Sequence, residues 1–175
     1  MAKQAVFASI AFGLLLTASV SHAQPLGFYF GAAVGDSDRD DSGYDDATSW
    51  QFFGGMALSP YFAVEAAYTD LGEFDLRQAD NSYVEIDGIE LTAVGNLPLT
   101  QRVALFGEVG LFTWDAEAVS LGRTIRSNDG TDLTYGAGVK FGLVESLNLR
   151  LEYQVYTDIG DRDVDTLYAG VSYGF

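Results

Sequence analysis

From Val164 to Phe175 the chain alternates residue by residue. Leu167, Ala169, Val171, Tyr173 and Phe175 fall on one face, and Thr166, Tyr168, Gly170, Ser172 and Gly174 on the other. A period of two predicts a β-strand with one apolar face. The pattern recurs upstream. Gly27 to Gly35 sets Phe28, Phe30, Ala32 and Val34 against Tyr29, Gly31, Ala33 and Gly35. Trp50 to Leu58 carries Trp50, Phe52, Met56 and Leu58 on one side, and Phe62, Val64, Ala66 and Tyr68 oppose Ala63, Glu65, Ala67 and Thr69. Ile89, Leu91, Ala93 and Leu97 oppose Glu90, Thr92, Val94 and Asn96, while Val84 and Ile86 fall on the other parity and make Gly88 a candidate β-bulge. Val103, Leu105, Val109 and Leu111 face away from Ala104, Phe106, Glu108, Gly110 and Phe112. Leu133, Tyr135, Ala137, Val139, Phe141 and Leu143 oppose Thr134, Gly136, Gly138, Lys140 and Gly142. Leu147, Leu149, Leu151, Tyr153 and Val155 oppose Asn148, Arg150, Glu152, Gln154 and Tyr156.

Short turns at Ser59-Pro60, Pro98-Leu99-Thr100 and Glu145-Ser146 alternate with polar loops at Asp36–Ser49, Leu71–Ser82, Val119–Gly130 and Thr157–Asp163. Eight strands in this long–short rhythm predict an all-β protein: an eight-stranded antiparallel up-and-down β-barrel with its long loops at one end, the pattern of bacterial outer-membrane barrels. An apolar terminal strand left as an open edge invites aggregation, and closing a barrel removes the edge.

Side-chain volume decides which face is outside. An eight-stranded barrel has an interior just wide enough for side chains to fill. The apolar faces carry Phe28, Phe30, Trp50, Phe52, Phe62, Tyr68, Tyr135, Phe141, Tyr153, Tyr173 and Phe175 together with many Leu, Ile and Val, whereas the opposite faces carry glycine, alanine, threonine, serine and a few charges. The larger set does not fit inside. The aromatic faces are therefore expected to meet lipid, and the barrel to be transmembrane.

Composition narrows the class further. Lys3, the uncharged apolar run Ala5–Val20 and the small-residue site Ser21-His22-Ala23 predict a cleaved signal peptide over 1–23, leaving a barrel domain over 24–175. With Lys3 removed, 8 basic residues stand against 25 acidic ones, a net charge of −17. Such a chain is unsuited to nucleic acid, which is bound through phosphate neutralisation. There is no cysteine, and the single histidine, His22, leaves with the leader, so the usual thiol nucleophile, general base and zinc ligands are missing. No enzymatic role and no cofactor are expected.

The acidic segment with Asp36, Asp38 and Asp40 suggests calcium, but the EF-hand pattern fails at Asp41, where glycine is needed, and at Ala47, where glutamate is needed. The glycine-rich runs lie in strands and lack the ending of a phosphate loop. By parity Glu65, Glu90, Glu108, Glu152, Lys140 and Arg150 share the lumen, with Arg102 near its mouth. An ion path is one reading; an internal salt-bridge network that plugs the barrel is the plainer one, because a filled eight-stranded lumen leaves no continuous channel. A turn centred near Leu99 puts Glu90 opposite Glu108, and the turn at Glu145-Ser146 puts Lys140 beside Arg150 and Glu152. Like charges in direct opposition are unfavourable. Arg150 or Lys140 is thus expected to cross to Glu90 or Glu108, with Glu65 completing the set.

The chain resembles the small eight-stranded outer-membrane barrels of the OmpA-like type. The resemblance rests on Gly27-Phe28-Tyr29-Phe30-Gly31, on the run from Phe62 to Gly72, on Leu133-Thr134-Tyr135-Gly136-Ala137-Gly138-Val139, on Leu149-Arg150-Leu151-Glu152-Tyr153 and on the terminal Phe175. It implies residence in the cell outer membrane among lipids and lipopolysaccharide, as a monomer. It also implies delivery by periplasmic chaperones and insertion by the barrel assembly machinery, with Tyr173 and Phe175 as the C-terminal signal. The chain stops at the barrel, so the peptidoglycan-binding domain of larger relatives and its cell-wall anchoring are not implied. The expected function is structural and surface-interacting, with acidic outer loops; the alternative is a narrow porin-like channel or a carrier of a small apolar ligand.

Overall fold

The computed structural model describes residues 27–39, 45–75, 82–121 and 123–175. The strands are β1 (Gly27–Arg39), β2 (Ala47–Ala57), β3 (Phe62–Asp75), β4 (Ser82–Pro98), β5 (Val103–Ser120), β6 (Arg123–Val144), β7 (Leu147–Tyr156) and β8 (Val164–Gly174). Each pairs antiparallel with its neighbours in sequence, and β8 closes on β1 from Tyr29↔Gly174 to Arg39↔Val164. Although β8 ends at Gly174, the Phe175 amide still donates to the Phe28 carbonyl at 3.0 Å. The expected barrel is the observed one; the leader expected over 1–23 lies outside the described residues.

The apolar faces point outward. Phe30 is 56% exposed, Phe52 60%, Leu111 55% and Leu167 62%. Along β6 the outward apolar run from Phe141 to Leu133 covers about nine residues, the length of a tilted transmembrane strand. Aromatic clusters sit on this surface: Phe28, Phe30, Tyr173 and Phe175 at the short-turn end, and Trp50, Phe52 and Tyr68 toward the other. They occupy the places of interfacial girdles.

The strands run well past this band. Asp36 pairs with Thr48 and Ser37 with Ala47, so much of the acidic first loop is sheet. Leu71–Asp75 belongs to β3. Nearly all of the expected loop Val119–Gly130 is a hairpin of β5 and β6 turned at Leu121, whose φ of 52° is of the kind a two-residue turn requires. Segments 40–44 and 76–81 fall outside the described residues. The misreading has a plain cause. A strand standing in water carries polar outward residues, and by composition it resembles a loop.

Two registers also differ from expectation. β4 is regular at Gly88; the irregularity lies in its partner, between Asp70 and Gly72, where Leu71 is the extra residue and Gly72 takes a φ of 90°. Val84 and Ile86 keep the inward parity of Glu90, and Ile86 is fully buried. The turn after β4 spans Leu99 to Arg102, with Pro98 opposite Ala104. Thr100 sets it by accepting from the amides of Arg102 and Val103 through Oγ1 at 3.1 and 3.0 Å. Glu90 accordingly lies opposite Phe112, and Glu108 opposite Val94. The two glutamates do not face each other.

The interior is less uniformly small than composition suggests. Tyr29, Phe53, Phe106, Phe112, Trp114, Tyr156 and Tyr168 all point inward. Several lie against a glycine of the next strand: a Cβ on Gly31 would come within 2.3 Å of the Phe53 ring, and one on Gly138 within 2.7 Å of Phe106. Each glycine makes the space its aromatic partner fills. A side chain at Gly31 should therefore overpack the lumen, at a cost of about 1–3 kcal/mol. Gly31→Val is expected to lower the temperature at which the folded band converts to the unfolded one on a gel. Gly54→Val, where a Cβ has no neighbour nearer than 3.8 Å, should leave it unchanged.

Candidate functional site

Seven inward positions build a polar centre in the lumen around Arg150, which is 2% exposed. Its Nη1 bonds Glu65 Oε1 at 2.7 Å, Nη2 bonds Glu108 Oε2 at 2.6 Å, and Nε bonds Glu152 Oε2 at 2.8 Å. The guanidinium thus joins β3, β5 and its own strand β7 across the barrel. Its Cζ also lies over the rings of Phe53 and Phe106, 4.7 and 4.6 Å from their centres. Tyr29 donates to Glu65 Oε2 at 2.8 Å.

Lys140 stands directly opposite Arg150 on β6. The two cations are separated by what each reaches. Lys140 Nζ turns toward the short-turn end, donates to Asn96 Oδ1 at 3.0 Å and lies 4.5 Å from the Phe106 ring centre. Phe106 therefore lies between a lysine and an arginine.

Glu90 belongs to a separate group. Its Oε1 accepts from Gln51 Nε2 and from Thr69 Oγ1 at 3.2 Å, and its Oε2 accepts from Gln154 Nε2 at 2.8 Å. Gln154 also donates to Thr134 Oγ1 and accepts from Tyr156, whose hydroxyl meets that of Tyr168. The structure brings Glu65, Glu108, Arg150 and Glu152 together and pairs Lys140 and Glu90 with uncharged partners. Sequence reasoning passed over Gln51, Asn96 and Tyr29. All three share the inward parity of the lumen charges, which is the signal the sequence carries for them.

Above Glu90, toward the long-strand end, the lumen turns apolar. Leu71, Phe74, Ile86, Ile159 and Val164 are all fully buried there. Ile159 comes from the β7–β8 loop, 157–163, which folds inward and is tied down where Arg39 Nη2 donates to its carbonyl at 3.2 Å.

Outside the lipid band the same strands carry rows of carboxylates. Asp70 pairs with Asp87, Asp87 with Asp115 and Asp115 with Asp129; one row higher, Glu73 pairs with Glu85 and Glu85 with Glu117. Tyr68 donates to Asp87 at 2.8 Å. Partial burial, reinforced by Asp70, Glu73, Asp87 and Glu117, holds the Glu85 carboxyl above its ordinary value. Burial and then Asp87, Asp129 and Glu117 do the same for Asp115. A raised carboxylate pKa opposes folding once the group is ionised. This end of the sheet is thus tightest at low pH and loosens as pH rises through the raised values, weakly, because the groups are largely exposed.

A closed lipid-facing barrel of eight strands with girdled ends and a filled lumen defines an integral outer-membrane β-barrel. The chain belongs to the OmpA-like transmembrane domain family, whose model matches residues 23–175. It is 28% identical over 193 residues to outer membrane protein A of Escherichia coli O157:H7, an alignment that covers 100% of this chain and 55% of that protein. The chain thus spans about half the length of the curated relatives it matches. Among solved structures it is similar to the attachment invasion locus protein Ail of Yersinia pestis, with a TM-score of 0.64 at 18% identity over 87% of this chain and 100% of that one. Neisserial surface protein A is similar too, with a TM-score of 0.71 at 18% identity over 85% of this chain and 97% of that one. The likeness to these two structures is one of fold.

If Arg150 is the hub, removing it leaves three buried carboxylates without their cation, and truncating one partner of a buried pair costs roughly 3–5 kcal/mol. Arg150→Met should lower the gel conversion temperature strongly. In double-mutant cycles, Glu65→Gln with Arg150→Met should cost clearly less than the two single changes summed, whereas Glu90→Gln with Arg150→Met should be closer to additive. Additivity in the Glu65 cycle would contradict the hub.

Proposed function

We propose that this protein is a structural barrel of the outer membrane whose lumen is plugged by its charge network and whose long-strand end presents charged surface outward. The observation that carries the reading is the stacking of three filled layers along one narrow lumen: the Arg150 cluster, the Glu90 group and the apolar layer of Leu71, Phe74, Ile86, Ile159 and Val164. A solute on the axis would have to break buried ion pairs and then cross a layer of large, fully buried apolar side chains. The short turns are assigned to the periplasm and the extended strands to the outside. No catalytic role is assigned to it.

Planar-bilayer recording of the refolded barrel tests the plug. The expected record is silent under conditions in which a porin conducts. Reproducible single-channel steps would overturn the plug and favour the narrow-channel alternative.

The reading includes biogenesis. Residues 1–23 are removed as a signal peptide, chaperones carry the chain across the periplasm, and the assembly machinery inserts it as a monomer among lipids and lipopolysaccharide. Tyr173 and Phe175 serve as the signal that machinery reads, and their rings pack on Phe30 and Phe28 at 5.9 and 6.3 Å between centroids. Protein recovered from the outer membrane should begin at Gln24. Deleting Phe175 should reduce folded yield in cells more than in detergent refolding; an equal loss in both would leave Phe175 a packing role alone.

A further inference from the structure

Above the lipid the wall of the barrel has a gap. β5 and β6 stay paired up to Ser120↔Arg123, but β7 leaves β6 at Thr134↔Tyr156. The β7–β8 loop then turns into the lumen, where Ile159 is fully buried, instead of following β6 upward. Over residues 123–132, β6 has no strand on that side among the described residues. Every residue over 123–129 is exposed.

Alternation fixes which backbone groups are left over. The Gly142 amide donates toward the β5 side, to the Arg102 carbonyl at 2.7 Å. The Leu133 carbonyl accepts on the β7 side, from the Thr157 amide at 3.0 Å. Even-numbered residues of β6 therefore bond β5, and odd-numbered ones turn to the β7 side. Beyond Leu133 these are Thr131, Asp129 and Ser127, whose amides and carbonyls meet no strand among the described residues. The run ends at a bulge: Arg126 faces Ala118 and Thr124 faces Val119, which leaves Ile125 as the extra residue.

An edge of this kind is a template for another strand. We infer that the β6 edge over 127–131 is a docking site for an extended basic segment of a partner protein, which pairs antiparallel with it as an added strand. The residue that exchanges both backbone bonds with Asp129 also sets its side chain beside that carboxylate, on the outward face. Asp129 already ends a row of carboxylates, Asp70–Asp87–Asp115–Asp129. Like charges in direct opposition are unfavourable and opposite ones favourable, so lysine or arginine is selected there. The same rule disfavours a second copy of this chain, because antiparallel pairing of two such edges about Asp129 sets carboxylate against carboxylate. The selection is local and does not rest on the net charge of this end. Arg126 has the opposite parity, and Arg123 lies beyond the bulge. In strand addition main-chain bonds supply affinity and alternate side chains choose the partner. The site goes beyond the proposed structural role, and because binding is read in detergent it stands or falls separately from the orientation and the plug.

The test is calorimetric titration of the refolded barrel, in neutral detergent, with end-blocked heptapeptides. One alternates threonine and lysine, one alternates threonine and glutamate, and the last is the lysine peptide N-methylated at every residue. The lysine peptide is expected to bind saturably and the glutamate peptide not at all. The methylated peptide keeps the charge but cannot donate to the edge, and it too should fail. With the lysine peptide bound, amide exchange should slow at Ser127, Asp129 and Thr131. It should stay unchanged at Asn128 and Gly130, which already face β5. Asp129→Ala should weaken the lysine peptide about two- to fivefold. Ser127→Pro combined with Thr131→Pro removes two edge donors, leaves the backbone ladder with β5 in place and should abolish binding. Ser127, Asp129 and Thr131 are exposed, so an unchanged gel conversion temperature confirms that the variants fold. Equal binding of the methylated peptide, no saturation by the lysine peptide up to about 10 mM, or binding without slowed exchange at the edge would overturn the inference.

Discussion

In hydrocarbon a backbone amide or carbonyl finds no water, and a spanning structure must satisfy all of them internally. For a sheet, that constraint is met only by closure. The β1–β8 seam, eleven paired positions from Tyr29↔Gly174 to Arg39↔Val164, is what turns eight amphipathic strands into a membrane protein. Phe175 extends the seam by one more hydrogen bond and stacks its ring on Phe28. With the backbone so satisfied, the large apolar side chains are left to meet lipid.

Closure with eight strands also sets a diameter, and the diameter dictates the interior. The lumen has room for side chains and little else. Aromatic rings enter it by lying over glycines, Phe53 on Gly31 and Phe106 on Gly138. Charges enter only if they find each other within reach. Arg150 succeeds because a planar guanidinium offers donors in three directions to Glu65, Glu108 and Glu152 while lying over the rings of Phe53 and Phe106. Lysine has one point of charge, and Lys140 settles for an amide oxygen and a ring. A cluster of this kind is costly to break even where its net contribution to stability is small.

Beyond the lipid the same strands turn one face to water and the other to the lumen, where Phe74 and Ile86 are fully buried, and the two faces diverge. Outside, carboxylates stand in register across β3 to β6, an arrangement that only high dielectric and screening make tolerable. Inside, small apolar residues and arginines surround the mouth. This separation gives the charged end of the molecule a direction, which a net charge of −17 does not convey.

How much was legible in the chain follows from what each pattern encodes. Alternation is local, set by the two-residue repeat of a strand, and so the eight strands, their order and the lipid face of Phe30, Leu111 and Leu167 were readable directly. Parity likewise placed Glu65, Arg150 and Glu152 in the lumen. Which charge meets which was not readable, because it depends on register. A turn moved by two residues, held by Thr100, separated Glu90 from Glu108. The extension of β5 and β6 was hidden because a strand in water and a loop share one composition. The inward rings, the apolar layer and the arginine-lined mouth needed the closed barrel itself, since they bring together side chains of strands far apart in sequence. Local periodicity determined the elements and their faces; only closure, through register and a fixed diameter, decided which residues touch.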